Sequence, residues 1–163
     1  MKNAKRTGAV LAAAALAAAA MLGAASPASA VSGAHYQNAN SQKCLLVQGF
    51  DNDHPAVQYD CLDYPDQAWH PIQTSTLGIY KIQNTNSNKC LVVRGTENGN
   101  PAVQYDCLDY RDQLWQIEVS LGAQIRFHNV NSGKCLVVQG PENGNRVFQY
   151  DCLDYADQWW RSY

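Results

Sequence analysis

Beyond residue 30 the chain has no Cys-x-x-Cys, no run of basic residues and no apolar stretch long enough to cross a bilayer. Without closely spaced thiols, and with His54, His70 and His128 at positions that do not recur, nothing resembles a metal-ligand set, and neither metal nor cofactor is expected. The missing basic run argues against nucleic acid or an anionic membrane as partner. The missing apolar stretch argues against membrane insertion. Amphipathic helical periodicity is lacking too, which leaves an all-β chain as the expected fold class. No nucleophile-elbow motif occurs, and the recurring carboxylates have no recurring histidine, lysine or glutamate to complete an acid/base pair, so the expected role is not enzymatic.

The first thirty residues are different in kind. Lys2, Lys5 and Arg6 precede an Ala-rich apolar run from Gly8 to Ala25, and Ala28-Ser29-Ala30 follows. That order is a basic n-region, an h-region and a small-x-small cleavage site, so residues 1–30 read as a secretory signal peptide. Residues 31–163 then carry nine basic and fourteen acidic side chains, a net of −5 with histidine neutral. The expected location is extracellular, where the six cysteines are free to form disulfides.

What is present is repetition. AVQYDCLDYPDQAW at 56–69 returns as AVQYDCLDYRDQLW at 102–115 and as VFQYDCLDYADQWW at 147–160. Each copy also opens with Asn-Ser-x-Lys-Cys, at 40–44, 86–90 and 131–135, followed by CLLVQG, CLVVRG or CLVVQG and a turn cluster. The period of about 45 residues divides the chain into units at about 36–78, 79–123 and 124–163, within a single domain at 31–163. Short β-branched runs bounded by Gly, Asn, Asp and Pro read as strands, about four per unit. Hairpin tips at 52/53, 98/99 and 143/144, with Asn98-Gly99 and Asn143-Gly144 the clearest turns, lie midway between paired cysteines. On that register Cys44 faces Cys61, Cys90 faces Cys107 and Cys135 faces Cys152, and disulfides of that connectivity follow. Each closes a loop of about 18 residues, worth on the order of 3 kcal/mol.

Three such units, each with a two-cysteine hairpin and each ending in Gln-x-Trp (Gln67 and Trp69, Gln113 and Trp115, Gln158 and Trp160), resemble the ricin B-chain-like β-trefoil lectins. The resemblance implies a threefold closed β-structure of four strands per unit. Tryptophan supplies area for a shared core and the glutamine amide offers donors and acceptors to loop backbone, so these six residues are expected to be structural. The resemblance also implies a sugar site on one hairpin face: an Asp two residues after the first cysteine, an aromatic two before the second, a Gln four before it, and an Asn preceding Gln-x-Trp. The aromatic is here as Tyr59, Tyr105 and Tyr150. The Asp positions hold Leu46, Val92 and Val137, and the Gln positions hold Val57, Val103 and Phe148.

A Gln does lie one residue later, at Gln58, Gln104 and Gln149, and a one-residue bulge would turn it toward the site. The position before Gln-x-Trp holds Asp66, Asp112 and Asp157, so the carboxylate is expected to have moved there, beside the tyrosine platform. Tyr64, Tyr110 and Tyr155 are candidates for a second aromatic wall. Against this, a loop Asp commonly bonds local backbone and a repeated Tyr can roof a core. Asp60, Asp106 and Asp151 are expected to be solvated or structural. The resulting function is a secreted carbohydrate-binding protein whose partner is a glycan or polysaccharide, with up to three equivalent sites. The second reading is an interaction module that binds a protein or apolar ligand through an exposed apolar hairpin face. N-terminal sequencing of the secreted protein should give Val31 as its first residue; retention of residues 1–30 would refute the signal-peptide reading.

Overall fold

The computed structural model describes residues 32–163, and the signal-peptide reading of residues 1–30 lies outside the described residues. Twelve strands occur among them: β1 (Ala34–Asn38), β2 (Cys44–Leu46), β3 (Val57–Tyr59), β4 (Ala68–Gln73), β5 (Ile79–Asn84), β6 (Cys90–Val93), β7 (Ala102–Tyr105), β8 (Trp115–Val119), β9 (Gln124–Asn129), β10 (Cys135–Val138), β11 (Val147–Tyr150) and β12 (Trp160–Ser162). All pairings are antiparallel. β1, β4, β5, β8, β9 and β12 close a six-stranded barrel, β1 pairing with β12 to complete the ring. Closure removes free edges that would template aggregation. The hairpins β2–β3, β6–β7 and β10–β11 cap the barrel and meet one another through the bridges Pro55 to Val103, Val57 to Arg146 and Pro101 to Phe148. This is a β-trefoil.

The hairpin register differs from the sequence expectation by two residues. Cys44 lies opposite Tyr59, Cys90 opposite Tyr105 and Cys135 opposite Tyr150, and the connections are eight- to ten-residue loops rather than tight Asn-Gly turns. The second cysteine of each copy therefore sits just past the strand. The disulfides Cys44–Cys61, Cys90–Cys107 and Cys135–Cys152 nevertheless form, each across a Cα separation of 5.0 Å. Pleat alternation has period two, so a shift of two keeps every side chain on its expected face.

The core is threefold as well. Trp69, Trp115 and Trp160 are fully buried, and each indole donates to the carbonyl of the residue after its repeat's first cysteine: Leu45 at 2.9 Å, Leu91 at 3.0 Å and Leu136 at 3.3 Å. Tyr36 and Phe127 meet edge to face at 4.9 Å in the same core. A tryptophan whose N–H finds a backbone acceptor buries its area without an unpaired donor.

Polar side chains seal the seams. Gln58, Gln104 and Gln149 are fully buried and no bulge turns them outward. Gln58 Nε2 donates to the carbonyls of Gly140 (2.8 Å) and Glu142 (3.0 Å) in the third repeat, while its Oε1 accepts from Ser41 at 2.6 Å. Gln104 reaches Gly49 and Asp51 in the first repeat, and Gln149 reaches Gly95 and Glu97 in the second. The acceptors Gly49, Gly95 and Gly140 have φ of 86°, 81° and 80°, the left-handed region where a Cβ would be strained. Outside this ring, Asp60, Asp106 and Asp151 each hold a lysine of their own repeat and the turn asparagine of a neighbour: Lys43 and Asn143, Lys89 and Asn52, Lys134 and Asn98. Those hydrogen bonds hold all three carboxyls below their ordinary range, with the lysine contribution leading at Asp60 and Asp151 and the asparagine at Asp106.

Replacing Gln58 by Leu removes the side-chain donor from two carbonyls of the third repeat and the acceptor of Ser41. The variant should lose about 1–3 kcal/mol of stability, read as a lower urea midpoint at unchanged slope; an unchanged midpoint would mean the seam bonds contribute nothing net.

Candidate functional site

The segment between the second cysteine and Gln-x-Trp makes a one-turn 3-10 helix in each repeat: Pro65–Gln67, Arg111–Gln113 and Ala156–Gln158. Its glutamine, buried, staples the preceding loop. Gln67 accepts from the Leu62 amide at 2.7 Å and donates to the Asp60 carbonyl at 2.8 Å; Gln113 and Gln158 repeat both bonds. From the next repeat in the ring a buried asparagine donates to the backbone carbonyl of the candidate Asp: Asn84 to Asp66, Asn129 to Asp112 and Asn38 to Asp157, at 2.8 to 2.9 Å. The helix packs on the first strand of the hairpin, β2, β6 or β10. Asp66, Asp112 and Asp157 are thus carried by an element that lies against the strand where the resembled lectins bear their carboxylate.

These three aspartates share an unusual state. Each is half-buried, and its Oδ1 is shielded with no hydrogen-bond partner among the described residues. Burial raises the carboxyls of Asp66 and Asp157 above the ordinary range. The backbone N–H groups of Asp66 and Gln67 offset part of this at Asp66, and that of Asp157 does so at Asp157. A buried unpaired carboxylate oxygen is costly, and such atoms concentrate where a ligand or strain accounts for them.

Around them the structure separates the sequence candidates into two tyrosine sets. Tyr59, Tyr105 and Tyr150 are partly exposed at the hairpin end, whereas Tyr64, Tyr110 and Tyr155 stand well out, about 60% exposed. In the second repeat Tyr105, Tyr110 and Asp112 line one shallow cavity of about 250 Å³ together with Val92, Arg94, Leu108 and Gln113. There the Arg94 guanidinium lies 4.7 Å from the Tyr105 ring centroid and pairs with Asp53 from the first repeat's hairpin loop. Gln48 and Gln139 replace Arg94 in the other repeats, so the three sites are not identical.

Two sequence readings change here. Leu46, Val92 and Val137 are buried, and Val57, Val103 and Phe148 are half-buried, so the first hairpin strand presents no open apolar face. That removes the observation behind the protein- or apolar-ligand reading. Gln58, Gln104 and Gln149 serve the seams rather than the sites.

A repeated basic position escaped the sequence reading altogether. His35, Lys81 and Arg126 are equivalent positions on β1, β5 and β9; His35 and Lys81 face the loop acids Asp63 and Asp109 of their repeats, while Arg126 pairs with Glu118. Because three different residue types fill it, comparison of the copies by identity passes over it. His128 lies beside Cys135 and Cys152, but both sulfurs are committed to a disulfide and offer no thiolate. No helix among the described residues is long and apolar enough to cross a membrane.

The closed barrel with three capping hairpins defines the class, a β-trefoil with three pseudo-equivalent loop sites. Residues 78–163 match the ricin-type beta-trefoil lectin domain, and residues 28–105 match the ricin-type beta-trefoil lectin domain-like family. The chain belongs to the ricin-type β-trefoil lectin family, which makes it a carbohydrate-binding module at family level, of a kind usually non-catalytic. No curated protein matches the sequence. Among solved structures, the designed threefold-symmetric protein ThreeFoil is 26% identical with a TM-score of 0.75, over 79% of this chain and 96% of that one. The hemolytic lectin CEL-III is 31% identical with a TM-score of 0.65, over 79% of this chain and 29% of that one. The exo-beta-1,3-galactanase 1,3Gal43A from Clostridium thermocellum is similar in fold, at 24% identity and a TM-score of 0.76, over 79% of this chain and 29% of the enzyme. This chain therefore spans under a third of the length of the last two.

The raised carboxyls set a sign for stability. A group whose folded pKa is raised stabilises the fold fully below its unfolded value, about 3.9 for Asp, and that contribution is lost as pH rises through the folded value. The Asp66→Asn, Asp157→Asn double variant should therefore melt at or above the parent temperature at pH 7, with the gap closing toward pH 3. A lower melting temperature at pH 7 would show that the two carboxylates hold the loop together.

Proposed function

We propose that this chain is a secreted, non-catalytic lectin with up to three repeat-equivalent sites, in which a loop carboxylate replaces the strand carboxylate of the resembled family. The observation that carries the reading is the shielded, unpartnered Oδ1 of Asp66, Asp112 and Asp157, recurring in all three repeats next to exposed tyrosine. A carboxylate accepts two hydroxyl hydrogen bonds, and charge makes each stronger than a neutral one. Tyr59, Tyr105 and Tyr150 offer a ring for the apolar face of a sugar, and Tyr64, Tyr110 and Tyr155 a second wall. The partner is a glycan or polysaccharide.

Each site is shallow, as the 250 Å³ cavity of the second repeat illustrates. Weak sites at fixed spacing suit a repetitive ligand, since the second contact is made at high effective concentration. Residues 1–30 direct secretion, and residues 31–163 form the single working domain. CEL-III, a hemolytic lectin by name, belongs to the same structural neighbourhood, which supports the carbohydrate reading.

The test is binding of the secreted, oxidised protein to a panel of immobilised glycans and polysaccharides. It runs in parallel with the Asp66→Ala, Asp112→Ala, Asp157→Ala triple variant. Binding by the parent should fall by at least tenfold in the triple variant while its circular dichroism stays unchanged. Binding that persists in the triple variant would place the site elsewhere, and no binding at any density would end the lectin reading.

A further inference from the structure

The position filled by His35, Lys81 and Arg126 has different fates in the three repeats. In the second, Lys81 Nζ meets Asp109 at 2.5 Å, and the pair satisfies itself beside a depression of about 430 Å³. In the third, Arg126 is held by Glu118 at 2.7 Å and lies 4.4 Å from the Trp159 ring centroid, while the Trp159 indole donates to Asp154 at 3.1 Å. Both of those polar sets are internally consumed.

The first repeat leaves its set open. His35 Nε2 stands 3.6 Å from Asp63, beyond a hydrogen bond, and the Asp63 carboxylate is largely exposed. The His35 side chain is nine-tenths buried, yet Nδ1 has no hydrogen-bond partner among the described residues. A cavity of about 380 Å³ covers the pair, lined by Gly33, His35, Cys61, Leu62, Asp63 and Tyr163. That volume falls within the range of about 300–1,000 Å³ of small-molecule sites. The residue opposite His35 in the sheet is Ala68, where the other copies carry Leu114 and Trp159, and position 33 is glycine where the second repeat has Ile79. In the second repeat Ile79 and Leu114 themselves line the depression beside the Lys81–Asp109 pair.

We infer that this cavity is a separate saccharide subsite, formed by His35, Asp63, Leu62 and Tyr163, for one neutral hexose ring. The chemistry matches that ligand at three points. Asp63 accepts from hydroxyl groups, His35 Nε2, 3.6 Å from Asp63, donates or accepts, and Leu62 with the Tyr163 ring meets the apolar face of a pyranose. Tyr163 is already stacked on His35, ring centroids 5.6 Å apart, which holds the imidazole in place. The carbohydrate reading supplies the ligand class; Asp66, Tyr59 and Tyr64 take no part, and Leu62, the equivalent of Leu108 in the second repeat's cavity, borders both places.

Solution NMR of the His35 and Tyr163 ring resonances tests it, with galactose, glucose, mannose and N-acetylglucosamine each titrated to saturation and ethylene glycol as the ringless control. At least one hexose should shift both rings saturably in the secreted protein and equally in the Asp66→Ala, Asp112→Ala, Asp157→Ala variant. Asp63→Ala, at an exposed position, should weaken that shift at least tenfold with dispersion of the spectrum intact. Absence of a hexose-specific shift in the parent, loss of it in the triple variant, or retention of full affinity in Asp63→Ala would each overturn the assignment. Saturable ring shifts from a protein that fails on the glycan panel would support this cavity while ending the three-site reading. Panel binding without ring shifts would do the reverse.

Discussion

The trefoil depends on three glutamine amides that cannot be satisfied within their own repeats. Gln58, Gln104 and Gln149 lie fully buried, and each places its amide nitrogen on two carbonyls of the preceding repeat in the ring. A buried amide left unpaired costs more than a formed bond returns, so the arrangement is satisfied only when all three repeats are docked. Assembly becomes cyclic, and one repeat alone has neither its core nor its polar partners. The clasps from Asn52, Asn98 and Asn143 to Asp106, Asp151 and Asp60 follow the same cycle on the surface.

That cyclic dependence also fixes the candidate sites. Asp66 is held by its backbone rather than by its carboxylate, through the Asn84 side chain of the next repeat, while Gln67 ties down the loop that precedes it. The Asn84 and Gln67 side chains make no use of the carboxylate, and its Oδ1 stays sheltered and unpaired. A loop tied at both ends costs less to order when a ligand arrives. The same scaffold tolerates divergence at the surface: Arg94 stacks over Tyr105 in the second repeat, and Trp159 covers Arg126 in the third.

Much of this was readable from the chain because repetition marks positions. The cysteine spacing gave the disulfide connectivity even though the register used to argue it was two residues off, since a displacement of two preserves faces. Gln-x-Trp marked the core tryptophans. The seam role of Gln58 was hidden because its acceptors, Gly140 and Glu142, lie over 80 residues away. The His35, Lys81 and Arg126 series was hidden for a different reason: position is shared but chemistry is not, and only the matching register of β1, β5 and β9 makes the equivalence visible.

By itself the sequence determined a threefold all-β chain, its disulfide pairing, its lectin family and the absence of the usual strand carboxylate, because each of these is written as residue identity at fixed spacing. Tertiary structure alone decided which glutamines are buried, that the first hairpin strand has no open apolar face, and which polar atoms end without partners. Those outcomes depend on what neighbouring repeats bring to a position, and a buried hydrogen bond is made or missed by tenths of an ångström across the seam.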